Sequence, residues 1–366
     1  MKVGAKAFQP RPSSWSAAIA EPVSLPHAQG EPTITGVLKD QPEDFIVDEV
    51  LSFTPSGAGE HTLIRIEKKS ETTDQLVRAL ARFAGIKPKD VGYAGLKDRQ
   101  AITRQWFSLP GSSSSISDWS LFDSASFRVL EVTRNDRKLR RGAIQLNRFH
   151  LRVRGLTGEV AELPQRLDRL AQNGVPNYFG PQRFGRDGMN VSRARALLAD
   201  PSLRVSPYHR GLYLSAARSE LFNQILADRV RQNLWDQAVA GDVFMFQGSK
   251  TFFGPEPLDE TLLSRLSRGD IHPSGPLIGR TPSTAEDSAR RIEETILAEH
   301  SDLVQGLSNE GLETQRRPFR LIPMGLDWAL EPPDELSLSF DLPAGSYATT
   351  VLRELIRIEG PATTEL

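Results

Sequence analysis

Residues 91–109 of the chain are VGYAGLKDRQAITRQWFSL. The glycines of this segment permit a tight turn, because glycine adopts backbone angles that other residues avoid. Three charged side chains, Lys97, Asp98 and Arg99, crowd into that turn. A carboxylate between two cations stays ionised, which suits a nucleophile or a general base. A surface turn in which Asp98 pairs with Arg99 or with its own backbone is the structural alternative.

The sequence around this turn predicts a mixture of strands and helices. Alternating apolar residues predict strands at residues 44–50, 61–67, 147–154 and 336–342. Helical spacing predicts helices at residues 72–84 and 215–231, from Ser283 to about His300, and in a last stretch that carries Val351, Leu352, Leu355 and Ile356. Thr72 with Gln75, and Ser283 with Glu286, are spaced as capping boxes. Because no regular βαβ rhythm is present, an α+β fold is favoured over a doubly wound sheet.

Composition narrows the classes of function. The chain has 366 residues, of which 39% are apolar and 25% charged, as expected for a globular protein of about two domains. It has no cysteine, which excludes thiolate chemistry and cysteine zinc sites. The histidines are not at metal-binding spacing, and no phosphate-loop or dinucleotide fingerprint fits. We therefore expect no metal and no small-molecule cofactor.

The termini and loops give further expectations. No apolar run reaches the roughly 18 residues of a membrane span, and no secretory signal precedes the first prolines. A cytoplasmic protein without a membrane segment is therefore predicted. Residues 1–30 are expected to be flexible, and the serine-rich residues 111–120 to form a surface loop.

Basic residues concentrate between positions 134 and 154, although the net charge of the chain is −1. They are Arg134, Arg137, Lys138, Arg140, Arg141, Arg148, Arg152 and Arg154. Asp136 is the one acid among them. Such a cluster is typical of a phosphate-binding surface. A solvated face that is compensated by acids elsewhere fits the same residues.

The segment GYAGLKDRQAITRQWFS, residues 92–108, resembles the signature of the TruD family of pseudouridine synthases. Six further blocks resemble the family in the same order: PEDFIVDEV (42–50), LRRGAIQLNRFHLRVR (139–154), VPNYFGPQRFG (175–185), LSAARSELFNQIL (214–226), GDIHPSGPL (269–277) and LPAGSYATTVLREL (342–355). The resemblance covers residues 36–358, and several long motifs in a fixed order do not arise by chance.

The resemblance implies a catalytic carboxylate with its neighbours. Asp98 follows the Gly-x-Lys of the signature and corresponds to the catalytic aspartate of the family. Phe45 corresponds to an aromatic residue that lies against the target base, and Lys39 aligns with a basic residue that can pair with Asp98. Without the resemblance, a core position on a strand face is the ordinary explanation for Phe45.

Three more site residues follow from the resemblance. Asn147 and Phe149 match the Asn-x-Phe pair of the catalytic cleft, and Tyr347 matches an aromatic residue that is Phe in some members. The Asn-x-Phe block departs from the family pattern at Leu146, where glycine is usual. A strand-edge amide for Asn147, a core position for Phe149 and packing under the last helix for Tyr347 are the structural alternatives.

The resemblance also implies an architecture and a substrate. A catalytic domain with a mixed, mainly antiparallel sheet would comprise residues 1–172 and 322–366. An inserted α/β TRUD domain, residues 173–321, would interrupt it. The implied substrate is uridine 13 of certain tRNAs, bound in the cleft between the two by a monomer. Arg137, Lys138, Arg140 and Arg141 are then expected to contact the RNA backbone.

Several alternatives stay open at this point. Asp98 would either attack the ribose as a nucleophile or remove a proton from it as a base. An RNA-binding protein or tRNA chaperone on the same scaffold is a second class of function. A hydrolase that uses Glu43 and Asp44 together with Asp98 is a third.

Overall fold

The computed structural model describes residues 25–111, 116, 118–200 and 202–359. In this part of the chain the strands are β1 (Thr35–Leu38), β2 (Phe45–Leu51), β3 (His61–Lys69), β4 (Gly92–Tyr93), β5 (Ile102–Leu109), β6 (Phe127–Asn135), β7 (Ile144–Thr157), β8 (Val175–Pro176), β9 (Phe244–Phe246), β10 (Phe252–Phe253), β11 (Ile271–Leu277), β12 (Gln315–Pro318), β13 (Arg320–Leu321), β14 (Met324–Glu331), β15 (Glu335–Pro343) and β16 (Arg357–Glu359). The helices are α1 (Thr73–Phe83), α2 (Leu163–Asn173), α3 (Met189–Ala199), α4 (Pro207–Arg231), α5 (Glu260–Ser267), α6 (Asp287–Glu299), α7 (Ser301–Asn309) and α8 (Ala348–Leu352).

A ten-stranded sheet dominates the fold. Its main path runs β14-β15-β7-β2-β5-β3-β6, with β1 beside β7, β16 beside β1 and β4 beside β5. The pairs β2–β5 and β1–β16 are parallel, and the other pairs of this sheet are antiparallel. The predicted α+β fold with a mixed, mainly antiparallel sheet is therefore confirmed.

A second, smaller sheet belongs to the middle of the chain. It has the order β10-β9-β11-β12, and helices α3 to α7 come from the same stretch of sequence. Where the chain leaves and re-enters the large sheet, β8 pairs with β13 through Val175 opposite Leu321. The predicted domain boundaries at residues 173 and 321 lie next to this pairing, and the division itself stays a prediction.

Helix α1 begins and ends where the local sequence predicts. In α1 the backbone N–H of Gln75 donates to Thr72 Oγ1 at 3.2 Å, and Gln75 Oε1 accepts from the backbone N–H of Thr72 at 2.8 Å. This capping box satisfies two amide groups that the first helical turn leaves unpaired. Gly85, at φ +66°, ends the helix in the left-handed region.

Three helix boundaries differ from the prediction. Helix α4 begins at Pro207 rather than residue 215, because Ser206 caps it by accepting from the N–H of His209. Helix α6 begins at Asp287, because the hydroxyl of Ser283 binds Arg316 and the Ala285 N–H instead of closing a capping box. Helix α8 ends at Leu352, so that the buried Leu355 and Ile356 follow it in non-helical chain.

Two predicted loops lie partly outside the described residues. Residues 1–24 of the segment expected to be flexible are outside them, and so are residues 112–115 and 117 of the serine-rich loop. Residues 25–30 contact the end of the chain, since the Ala28 N–H donates to Glu354 Oε2 at 2.9 Å and Pro26 O accepts from Arg353. None of the helices described is long and apolar enough to cross a membrane.

Candidate active site

Asp98 lies in the connection between β4 and β5, with its side chain 35% exposed. The connection is held tightly at its base. A Cβ atom on Gly92 would lie 2.3 Å from Ser108 Oγ and 2.6 Å from Leu139 O, so only glycine fits there. The side chain of Gln105 donates to Gly95 O at 2.5 Å and fixes the middle of the turn.

Lys39 supplies the cation beside the Asp98 carboxylate. Its Nζ donates to Asp98 Oδ2 at 2.8 Å and lies 4.1 Å from the ring centroid of Phe45. The lysine follows the end of β1 and has a left-handed backbone, with φ +64°. Charge-assisted hydrogen bonds of this kind are among the stronger ones in proteins and orient both groups.

A second lysine holds the backbone of the same residue. Lys68 is completely buried, and its Nζ donates to Asp98 O at 2.6 Å and to Glu71 O at 2.7 Å. Burial lowers the pKa of Lys68 to about 8, although the negative charge of Asp98 opposes this shift. Both the carboxylate and the carbonyl of Asp98 are therefore bound by lysine ammonium groups.

Lys97, the neighbour of Asp98, points to the adjacent strands. Its Nζ lies 2.7 Å from Asn147 Oδ1 and 2.9 Å from Glu49 Oε2. Glu49 and Asn147 are direct partners across β2 and β7, so their side chains share one face of the sheet. Glu49 is buried, and its Oε1 accepts from the backbone N–H of Trp106 at 3.2 Å.

Aromatic rings lie on the same face of the sheet. Phe45 and Phe149 are 4% and 6% exposed, and their ring centroids are 6.0 Å apart in an edge-to-face arrangement. Phe340 extends the cluster, 5.6 Å from Phe149. The face of Phe45 is occupied by the Lys39 ammonium. A base that stacked on this face of Phe45 would replace the cation–π contact.

Tyr347 lies farther along the chain, after the end of β15. Leu342 of that strand pairs with Asn147, and five residues later the ring of Tyr347 packs 6.3 Å from Phe179. Arg317 lies 4.0 Å from the same Phe179 ring. Within the described residues, no hydrogen bond or ring contact joins Tyr347 to Asp98.

Apart from Arg134, whose guanidinium donates to Gly59 O, the basic cluster between residues 134 and 154 divides into two groups. The strand residues Arg148, Arg152 and Arg154 pair with acids, namely Asp341, Glu331, Glu335 and Asp44. In the loop before β7, Arg137, Arg140 and Arg141 are exposed and form no ion pair with a described residue. The loop docks on the Asp98 connection, since Gly142 N–H donates to Ala94 O at 3.1 Å.

The loop reaches a neighbouring pair of lysines that the sequence cluster did not include. Lys138 Nζ donates to Lys89 O at 3.0 Å, and the side chains of Lys87 and Lys89 are exposed. We name the group Lys87, Lys89, Arg137, Lys138, Arg140 and Arg141 the basic loop surface. It adjoins the connection that carries Asp98.

The carboxylates proposed for a hydrolase are engaged elsewhere. Glu43 forms an ion pair with Lys69, and the buried Asp44 accepts from Arg154 Nη2 at 2.8 Å. Within the described residues, no group of three or more histidine and acidic side chains is arranged to hold a metal ion. Of these three carboxylates, Asp98 is the one in the signature turn, with a side chain 35% exposed and no hydrogen bond from a described residue to its Oδ1.

A model of the family described as tRNA pseudouridine synthase D (TruD) matches residues 26–198 and 190–355. This chain belongs to the tRNA pseudouridine synthase D family. It is 48% identical to the tRNA pseudouridine synthase D of Methylococcus capsulatus, over 92% of this chain and 95% of that protein. It is 44% identical to the protein of the same description from Nitrosococcus oceani, over 92% and 94% of the two chains.

A solved structure of the TruD type has the same fold. It is a chain from Methanosarcina mazei with a TM-score of 0.67 and 22% sequence identity, and the match covers 92% of this chain and 96% of that one. At this identity the likeness concerns the fold alone.

In this TruD-family chain, the fold brings together most of the residues that the sequence singled out. Lys39 contacts both Asp98 and Phe45, and Asn147 is linked to this group through Lys97, the neighbour of Asp98. Sequence reasoning missed Glu49, Lys68 and the contacts of Lys97. One signal was available: Lys68 follows Ile64 and Ile66 on the inward face of β3, where an apolar residue is usual.

Proposed function

We propose that this chain is a tRNA pseudouridine synthase that converts uridine 13 of tRNA to pseudouridine, with Asp98 as the catalytic carboxylate. One observation carries the proposal: in the signature turn, a partly exposed carboxylate is oriented by the Lys39 ammonium at 2.8 Å. Lys68 fixes the backbone beneath it. A pre-organised charge next to a cleft is what a reaction with developing charge at the ribose requires.

The reaction is an isomerisation and needs no external reactant. The bond between C1′ and N1 breaks, the uracil turns, and a bond between C1′ and C5 forms. The proton on C5 is lost to solvent, and N1 gains one. Asp98 begins this sequence either by attacking the ribose or by removing a proton from it.

Binding must supply the free energy that brings the target base out of its stack. Base extrusion costs a few kcal/mol, and stacking on an aromatic side chain returns about 1–3 kcal/mol. Phe45, Phe149 and Tyr347 are the proposed aromatic contacts, and Asn147 is the proposed hydrogen-bonding residue. The exposed basic loop surface would contact phosphates, which gives affinity that falls as salt rises.

The proposed arrangement has two domains and one chain. The catalytic domain would comprise residues 1–172 and 322–366, and the inserted domain residues 173–321. The RNA would lie between them and contact a monomer. Light scattering with and without tRNA tests the oligomeric state, since a dimer in both conditions would contradict the proposed monomer.

The decisive experiment is tritium release from tRNA that contains 5-tritiated uridine. The protein should release tritium, and Asp98→Asn should lower the rate at least about 10²–10⁴-fold while tRNA affinity stays nearly unchanged. Asp341→Asn, which alters a carboxylate paired with Arg148, is the matched control and should keep its activity.

Three other outcomes of this experiment would contradict the proposed function. No release from any tRNA would favour the RNA-binding or chaperone function. Free uracil among the products would favour the hydrolase. Chemical mapping of the modified nucleotide to a position other than 13 would contradict the proposed substrate position.

A further inference from the structure

A chain of three side chains runs beneath the Asp98 turn. Glu49 Oε2 lies 2.9 Å from Lys97 Nζ, which in turn donates to Asn147 Oδ1 at 2.7 Å. Lys97 is held at its other end as well, because its backbone N–H donates to Thr73 Oγ1 at 3.0 Å. The fold therefore fixes the position of Lys97 before any substrate binds.

The Lys97 ammonium fixes the orientation of the Asn147 amide. A lysine ammonium has three donors and no acceptor, so the atom of Asn147 that faces it must be the carbonyl oxygen. Glu49 is a pure acceptor when ionised, and its Oε2 lies 2.9 Å from the same ammonium. The NH₂ group of Asn147 consequently points away from Lys97.

That NH₂ group remains free to bind a ligand. Among the described residues, no acceptor takes up Asn147 Nδ2, and the side chain of Asn147 is half-buried. The group lies on the sheet face that carries Phe149 two residues later, and Lys97 precedes Asp98 in the chain. A donor without a protein partner at this place suits an acceptor on the substrate.

We infer that Lys97 is a positioning residue that turns the Asn147 amide so that its NH₂ group donates to a carbonyl oxygen of the target base. The inference rests on the proposed function and adds a means of recognition to it. Uracil has two carbonyl acceptors, whereas cytosine carries an amino donor in place of one of them. At O4 a donor fixed by Lys97 would favour uridine, because in cytosine it would meet the amino donor and be left unpaired, whereas O2 is common to both bases.

Thio-substituted tRNA tests the inference. Sulfur accepts hydrogen bonds more weakly than oxygen, so 2-thiouridine or 4-thiouridine at the target position weakens one contact without changing the shape of the base greatly. With Asp98→Asn, which slows turnover enough to measure binding, we expect one of the two substitutions to lower tRNA affinity about three- to tenfold. Equal affinity for the unmodified and both thio-substituted tRNAs would overturn the inference.

Variants assign the effect to Lys97. We call the loss of tRNA affinity upon 2-thio or 4-thio substitution the thio effect. Lys97→Met combined with Glu49→Met removes both charges together and should abolish this effect. Lys97→Arg keeps a pure donor and should retain it. A thio effect of unchanged size in the folded double variant would overturn the role of Lys97. Thermal unfolding checks that this variant folds.

Asn147→Asp decides the question if the double variant does not fold. The carboxylate still binds Lys97 but presents no donor, so the thio effect should vanish, and an unchanged effect would overturn the inference. These are binding measurements. Failure of the protein to form pseudouridine would therefore remove the proposed function without deciding the role of Lys97.

Discussion

Two ion pairs, one beside each sheet, combine an aspartate with a basic residue but differ in how far solvent reaches them. Asp98 and Lys39 in the large sheet have side chains 35% and 16% exposed. Asp242 and Arg229 beside the smaller sheet are each 1% exposed. The inner pair is closed, since Asp242 Oδ2 also accepts from the Val239 N–H at 2.8 Å.

The difference lies in the acceptor capacity that each carboxylate has left. No hydrogen bond within the described residues takes up Asp98 Oδ1, and solvent reaches the side chain. Asp242 uses both oxygens for Arg229. A carboxylate with a free, solvated oxygen can meet a substrate, whereas a saturated and buried one can only support the fold.

Arg229→Met should produce the largest effect on stability. It leaves the Asp242 charge buried without its partner, and such changes lower the free energy of unfolding by about 3–5 kcal/mol. Lys39→Met should lower it by less than about 1 kcal/mol, because its pair is partly solvated. Urea unfolding measures both, and equal losses would remove the distinction between the two pairs.

Acid should destabilise the protein through His272, on the smaller sheet. Burial, with a smaller contribution from Arg320, lowers the pKa of His272 to about 4 from 6.5. Between these values the unfolded state binds more protons, so stability falls as the pH falls through this window. This histidine alone should account for about 3 kcal/mol by pH 4.

Comparison with His272→Met isolates that contribution. The variant should have a flatter dependence of unfolding free energy on pH between about 6.5 and 4. Parallel curves for the two proteins would contradict the assignment. His27 titrates in the same window, since burial lowers its pKa to about 4, and it remains in both proteins.

Lys39→Met should affect turnover more than stability. Lys39 orients the Asp98 carboxylate, and its charge matters more as charge develops at the ribose than it does for folding, so tritium release under single-turnover conditions should slow about 10–100-fold. Arg148→Met removes a cation that pairs with Asp341 on β15 and should leave the rate unchanged. Equal slowing in both variants would mean that general charge, rather than the Lys39 contact, matters.

The smallest effects should come from the basic loop surface. Arg140→Ala removes an exposed cation, so tRNA affinity should fall a few-fold and the salt dependence should decrease by about 0.9 in slope. Arg152→Ala removes a cation that pairs with Glu331 and Glu335 and should change the slope less. Filter binding at several salt concentrations measures both, and identical slopes would contradict a special role for the loop.

Features that depend on residues close in sequence were predicted correctly, whereas features that depend on distant residues were not. The capping box of α1 and the alternation of β7 were predicted correctly, since both depend on residues close in sequence. The start of α6 was not, because Ser283 binds Arg316, which is 33 residues away. The split of the basic cluster was equally inaccessible, since the acids that neutralise the strand arginines come from distant strands.

The sequence by itself determined the family, the α+β class and the turn that carries Asp98, because ordered motifs and local periodicity are written in neighbouring residues. Only the tertiary structure decided how that turn is held. Lys39, Lys68 and Glu49 reach it from three different strands or their ends, at sequence separations of 59, 30 and 48 residues. The pairing register of the strands sets such contacts, because a slip of one residue between two paired strands would turn each side chain to the other face of the sheet.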